Sequence, residues 1–196
     1  MKRALDLVAA VVALAALAAP ILLVALLVKL DSRGPAFFHA PRAGRGGHVF
    51  SIHKFRTMTD AAAGTALTTA DDARVTRLGR ALRRARIDEW PQLWNVLVGE
   101  MSLVGPRPED PRFVDADDPE WRRVLSVRPG ITGPAQIAFA DREQALLGES
   151  DPERDYRERV LPAKLRADLE YVETRTLRGD LVLLLRTALR RRVATS

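Results

Sequence analysis

The sequence predicts an α-dominated α/β domain carried on an N-terminal apolar hairpin, with interfacial amphipathic helices beside it. Three observations predict this: an uncharged run from Leu7 to Val28 interrupted by Pro20, two short apolar and aromatic runs around a glycine-rich link, and helix-spaced apolar residues from Arg74 onward. At 196 residues the chain has room for one domain plus an anchor, because domains usually run to about 100–200 residues. The anchor is expected over 1–30 and the domain over 31–196. Lysine and arginine outnumber aspartate and glutamate 31 to 25, giving a formal charge of +6. That balance suits anionic headgroups, nucleotides or nucleic acid and does not choose among them. The absence of cysteine excludes disulfides, thiolate catalysis and thiolate-bound metal. His39, His48 and His53 lack metal-ligand spacing.

The run from Leu7 to Val28 exceeds the roughly 20 residues that a helix needs to cross the hydrocarbon core. Pro20 sits near its middle, where it removes a backbone donor and clashes with the preceding turn. Both flanks are basic, Lys2 and Arg3 before the run and Lys29 and Arg33 after it, so the positive-inside rule sets no direction. A helix that enters the membrane, breaks at Pro20 and returns satisfies both facts. A single span and a cleaved signal remain the alternatives, the latter with a poor cleavage site at Ala18-Ala19-Pro20. Asp6, costly beside an apolar run unless paired or interfacial, has Lys2 and Arg3 within a helical turn.

Past the turn cluster Asp31–Pro35, Ala36–His39 and Val49–Ile52 read as strands around Arg42-Ala43-Gly44-Arg45-Gly46-Gly47. The link lacks the Gly-Lys-Ser/Thr ending of a phosphate loop, so a hairpin turn is expected. Lys54 and Arg56 follow, one residue apart, able to grip a phosphate or to remain solvated. Thr59 to Asp72 shows no periodicity and is expected to be a loop of lid type. Val75, Leu78, Leu82 and Ala85 then recur at helical spacing among Arg77, Arg80, Arg83, Arg84 and Arg86. This is a basic amphipathic helix, expected to face lipid.

Asp88 and Glu89 stand where that arginine run ends. Pro91 is placed to open the next helix, whose apolar face is Leu93, Trp94, Val96 and Leu97. Two carboxylates before a helix N-terminus meet backbone donors and the positive end of the dipole, while each opposes ionisation of the other. An ionised carboxylate is a nucleophile toward phosphorus or a ligand for a hard cation. Either role suits diphosphate chemistry.

Lys54-Phe55-Arg56-Thr57-Met58, Asp88-Glu89-x-Pro91-Gln92-x-x-Asn95-Val96 and Met101-Ser102-Leu103-Val104-Gly105-Pro106-Arg107-Pro108, in that order, resemble the bacterial sugar transferases. More narrowly the chain is similar to the small monotopic phosphoglycosyl transferases, and the resemblance extends from Lys2-Arg3-x-x-Asp6 through Arg128-Pro129-Gly130 to Asp180-Leu181. It implies transfer of a sugar-1-phosphate from a nucleoside diphosphate sugar, usually a UDP-sugar, to a polyprenyl phosphate such as undecaprenyl phosphate. Asp88 would be the nucleophile and a metal ligand, Glu89 an acid/base or positioning group, and Mg²⁺ the cofactor. Membrane lipids are implied partners and nucleic acid is not. The place implied is the cytoplasmic face of a bacterial inner membrane, in the short form of the family; oligomeric state is left open.

Diphosphate chemistry at a carboxylate also requires cations. Lys54, Arg56, Arg107 and Arg128 are the candidates, with Arg107 held between Pro106 and Pro108. The chain departs from the family at Ala19, where many relatives carry serine, at Glu100 and at Trp90; it also departs at Pro134 and at Phe139-Ala140-Asp141, a region that shapes sugar choice in some members, so no particular sugar carries over. Trp90, Trp94 and Trp121 suit either the headgroup level or the core. Asp151 to Glu173 is expected to be helical, interrupted at Pro162, with Leu165, Leu169 and Val172 buried. Leu177 to Val193 is expected to lie in the interface. Two rival readings are a membrane-anchored basic binding module without catalysis and a nucleotide-sugar diphosphatase.

Overall fold

Lys2–Asp31 folds as one helix, α1, with Pro20 inside it, in a computed structural model that describes residues 1–59, 72–139 and 151–193. Pro20 therefore does not interrupt the secondary structure as predicted. A proline costs one ladder bond, and the turns on either side carry the helix through it. The helix is long and apolar enough to cross a membrane, and Val8, Val12, Leu22, Leu23 and Leu26 are exposed along it.

Both ends of α1 dock on the rest of the chain. Near the start, Arg3 donates to the carbonyls of Val96 at 2.7 Å and Leu97 at 3.2 Å. Asp6, buried as its cost requires, accepts from Ser102 Oγ at 2.8 Å and from the Leu103 amide at 3.3 Å. It is paired with these groups, whereas Lys2 reaches Asp180 instead, at 2.6 Å. At the far end, Val28 packs with Phe55 and Leu82. There the Arg56 guanidinium collects the carbonyls of Val28 at 3.1 Å, Ser32 at 2.7 Å and Arg33.

The expected hairpin is present and longer than expected. Strands β1 (Phe37–Ala43) and β2 (Val49–Phe55) pair antiparallel from Phe37 opposite Phe55 to Ala43 opposite Val49. Pro41 fits within β1 because each strand of a two-stranded ribbon has an open edge. The glycine-rich link makes a short 3-10 turn over Arg45–Gly47, with Gly46 and Gly47 at φ 70 and 79. Helix α2 (Arg77–Arg84) begins at Thr76, whose Oγ1 accepts from the Gly79 amide at 2.8 Å. Helix α3 (Gln92–Val98) opens with Pro91 at the N-cap, one position earlier than the predicted role.

A second small sheet, which sequence periodicity did not reveal, pairs β3 (Ser102–Val104) and β4 (Gly130–Thr132) in parallel. Three residues per strand are too few to show alternation. Helices α4 (Pro119–Val124) and α5 (Pro134–Phe139) flank β4 in the chain. A short α6 (Pro152–Asp155) passes through a π turn over Tyr156–Val160 into α7 (Leu161–Thr174), with Pro162 in its first turn. The buried face of α7 is Lys164, Asp168, Leu169 and Tyr171; Leu165 and Val172 are only half-buried. The last helix, α8 (Leu177–Val193), leaves Leu181, Val182, Leu185 and Leu189 exposed. The predicted loop between Thr59 and Asp72, and Ala140 and Asp141, fall outside the described residues.

Gly79 fixes how closely α2 approaches the segment that leaves β2, since a Cβ there would lie 2.1 Å from the Thr57 carbonyl oxygen. Alanine ordinarily favours a helix over glycine by about 1 kcal/mol. Here Gly79→Ala should instead destabilise the protein by about 1–3 kcal/mol, read from the denaturant midpoint; a more stable variant would show that α2 does not rest on that backbone.

Candidate active site

Asp88 and Glu89 lie in a 3-10 turn over Ile87–Glu89, between α2 and α3. Ile87 and Trp90, on either side of the pair, pack into the cluster formed by Val28, Phe55 and Leu82. The carboxylates thus sit where α1 leaves its apolar course. The turn is set by Arg86, the one non-glycine residue at positive φ among the described residues, at φ 53 and ψ 27. Left-handed backbone is uncommon for a side chain of this size. Here it ends α2 and brings Arg86 Nη1 to 3.9 Å from Glu89 Oε2.

The two carboxylates are treated differently. Glu89 receives Lys54 Nζ at 3.0 Å from β2. Burial opposes its charge, but Lys54, Arg107 and Arg86, together with the Lys54 hydrogen bond, hold its carboxyl down at about 2. Asp88 is 8% exposed and has no hydrogen bond or ion pair among the described residues. Burial and the charge of Glu89 push its carboxyl up to about 6, against Lys54, Arg83 and Arg86. One member is locked as an anion, and its neighbour keeps an available, more basic oxygen.

Arg107 is presented from behind by buried polar groups. Pro106 and Pro108 are buried on either side of it, and its backbone amide donates to Asp168 Oδ2 at 3.1 Å. Burial lifts the Asp168 carboxyl to about 7, with Glu109 adding to the effect and the Arg107 amide opposing it. Glu109 accepts from Tyr156 OH at 2.6 Å and Lys164 Nζ at 3.2 Å, and Lys164 lies 2.8 Å from Tyr156 OH. Tyr156, Lys164 and Asp168 come from the π turn and the polar face of α7, and Glu109 from the segment after β3. The spacing of Lys164, Asp168 and Tyr171, every third or fourth residue, was the signal that apolar counting passed over.

Lys54, Asp88, Glu89 and Arg107 are brought together as expected. Arg56 and Arg128 are not. Arg56 is buried on the carbonyls at the end of α1, and Arg128 donates its Nε to the Gly99 carbonyl at 2.7 Å, at the far end of α3. In their stead Arg83 and Arg86, which periodicity assigned to a lipid-facing helix, act on the pair; Arg83 is fixed by a bond from its Nε to Thr57 Oγ1 at 2.8 Å. Asn95, fully buried, ties α3 to β2: it donates to the Ser51 carbonyl at 2.8 Å and accepts from the His53 amide at 3.1 Å. Its amide also reaches Glu100 at 2.7 Å, so Glu100 serves that tie. Trp121 is core, Trp90 half-buried and Trp94 exposed.

Among the described residues no group of three or more His, Asp or Glu converges on one point. Magnesium does not require one, since it keeps several waters and is held by one or two carboxylates plus substrate phosphates. Asp88, without a hydrogen-bond partner and adjacent to Glu89, fits that donor set.

A family model for bacterial sugar transferases matches residues 1–192. The chain belongs to the bacterial sugar transferase family. Its relatives include a UDP-glucose:undecaprenyl-phosphate glucose-1-phosphate transferase of Caulobacter vibrioides, 44% identical over 95% of this chain and 67% of that protein. An undecaprenyl-phosphate glucose phosphotransferase of Komagataeibacter xylinus is 43% identical over 95% of this chain and 35% of that protein. A UDP-N-acetylgalactosamine-undecaprenyl-phosphate N-acetylgalactosaminephosphotransferase of Aeromonas hydrophila is 38% identical over 95% of this chain and 42% of that protein. The chain thus spans from about a third to two thirds of the length of these curated relatives.

Burying the Asp88 charge costs stability. Because its carboxyl sits at about 6 when folded against an ordinary 3.8, the folded chain holds that proton more tightly. The stabilising contribution is complete below the ordinary value and is lost as pH rises through about 6. Asp88→Asn, neutral throughout, should therefore exceed the wild type in stability at pH 8 by up to about 3 kcal/mol, with the gap falling to about half of that at pH 5. Thermal midpoints at both pH values measure this; a less stable variant at pH 8 would mean that the surrounding cations outweigh burial.

Proposed function

We infer that the chain transfers a sugar-1-phosphate from a nucleoside diphosphate sugar, a UDP-sugar in the first instance, to undecaprenyl phosphate or a related polyprenyl phosphate. The place is the cytoplasmic face of a bacterial inner membrane, and the product feeds polysaccharide or other glycoconjugate assembly. The observation that carries this reading is the asymmetry of the carboxylate pair. Asp88 supplies an oxygen without a hydrogen-bond partner, and the cations that a diphosphate needs are already aligned by Glu89.

In the first step an Asp88 oxygen attacks the β-phosphorus. The bond from that phosphorus to the bridging oxygen breaks, UMP leaves with the electron pair, and an aspartyl phosphosugar remains. In the second step an oxygen of the lipid phosphate attacks the same phosphorus, and the Asp88 carboxylate departs. Lys54, Arg86 and Arg107 hold the diphosphate oxygens, with Arg83 behind them. A carboxyl held near 2 is too weak a base to shuttle protons at neutral pH, so Glu89 positions Lys54 and Arg86. Asp88 would hold Mg²⁺, which would supply charge neutralisation at the diphosphate. Arg56 and Arg128 have no part in this scheme.

The docking of α1 supports re-entry. A straight helix would separate Arg3 from Val28 by roughly 37 Å. Arg3 sits on the C-terminal carbonyls of α3, and Val28 packs beside Ile87 and Trp90, just ahead of that same helix. Since α3 is only about 10 Å long, this docking favours a bent α1, and Pro20 is the residue where bending costs least. Both ends then lie on one side of the bilayer, with α8 along its surface.

Incubation with a panel of UDP-sugars, Mg²⁺ and undecaprenyl phosphate should release UMP, and Asp88→Asn should lower that release at least about a thousandfold. A phosphosugar should be recoverable on residue 88 from wild-type protein quenched before lipid is added. Full donor turnover without lipid supports a diphosphatase, and no turnover with any donor supports a binding module. For the anchor, single cysteines at Ala4→Cys and Asp31→Cys should both react with a thiol reagent from the cytoplasmic side; labelling from opposite sides would establish a single span.

A further inference from the structure

At the end of α3 away from the carboxylate pair, an open cavity of about 400 Å³ is walled by the start of α1, the hairpin link, the segment before β4 and the junction of α7 with α8. Five cations line it, Lys2, Arg3, Arg45, Arg128 and Arg175, against two carboxylates, Asp6 and Asp180. Both carboxylates are engaged: Asp6 with Ser102 and Leu103, and Asp180 with Lys2 at 2.6 Å and Tyr171 OH at 2.7 Å. Arg3 is likewise committed, to the α3 carbonyls.

Three guanidiniums keep donors to spare. Arg45 uses only its Nε, on the Ser126 carbonyl at 3.2 Å. Arg128 uses only its Nε, on the Gly99 carbonyl. Arg175 makes no hydrogen bond or ion pair among the described residues. Such a concentration of unused donors, with no opposing carboxylate to spare, selects an anion with several acceptor oxygens. The cavity also stands at the foot of two apolar surfaces. Leu5 and Val8 of α1 are 57% and 63% exposed, and Leu177 and Leu181 of α8 are 38% and 60% exposed.

We propose that this cavity is a headgroup site for an anionic phospholipid. Arg45, Arg128 and Arg175 hold the phosphodiester, and the acyl chains run along the exposed leucines and valine of α1 and α8. It is separate from the transfer site, because none of Lys54, Arg86, Asp88, Glu89 or Arg107 lines it, and it does not depend on the transferase reading. The lipid would secure the amino-terminal end of α1 and α8 to the bilayer at one point.

The test uses the full chain in a neutral detergent, with native mass spectrometry and thermal midpoints. Phosphatidylglycerol should bind at one copy per chain and raise the midpoint, and phosphatidylcholine should do neither. Arg45→Gln combined with Arg175→Gln should weaken phosphatidylglycerol roughly tenfold or more while leaving the lipid-free midpoint unchanged, and the corresponding double lysine variant should retain most of the binding. Equal binding of the two lipids, or wild-type affinity in the glutamine variant, overturns the proposal. Displacement of the lipid by millimolar inorganic phosphate overturns the lipid source and leaves a site for a soluble anion. If the glutamine variant does not fold, the comparison of the two lipids on the wild type decides.

Discussion

Two adjacent carboxylates, Asp88 buried and Glu89 nearly so, share one turn, and much of the structure answers that electrostatic constraint. Neither charge could be held there without compensation. Lys54 comes from β2, Arg83 and Arg86 from α2 and the turn after it, and Arg107 from the proline-flanked segment beyond β3. These cations favour Glu89 strongly and leave Asp88 only partly compensated. Inequality between the two carboxyls, rather than their proximity, is what sets them apart.

The same turn is coupled to the apolar helix. Arg56, one residue past the end of β2, grips the last carbonyls of α1. Lys54, two residues earlier on the same strand, grips Glu89. Opposite the pair along α3, Arg3 and Arg128 take the carbonyls that close that helix. The carboxylate turn and the helix it precedes are therefore held between the two ends of α1. These links run through backbone carbonyls rather than through loops, and so tie the carboxylate turn to α1 rigidly.

Much of this was legible in the sequence. The hairpin announced itself through aromatic runs and glycines, the carboxylate pair through its place before Pro91, and Arg107 through its two prolines. What was hidden depends on three-dimensional context. Lys54 and Arg56 look alike in sequence, yet they reach different partners. Arg83 and Arg86 resembled solvated helix charges because periodicity cannot foresee that Arg86 turns left-handed and redirects the chain. The β3–β4 pair is too short for alternation to show. The support behind Arg107 is polar, whereas a search for buried helix faces looks for leucine and valine. Pro20 did not end the hydrogen-bonded ladder of α1, since backbone periodicity survives one missing donor.

Arg86 occupies a backbone conformation that glycine adopts without strain, at a cost on the order of 1 kcal/mol for an ordinary residue. The position is therefore under two opposed demands, one from local geometry and one from the anion it serves. Glycine would relax the turn and remove the guanidinium; lysine would keep the charge and lose the planar fork. Backbone ease is given up here for a guanidinium 3.9 Å from Glu89, in the turn that joins α2 to α3.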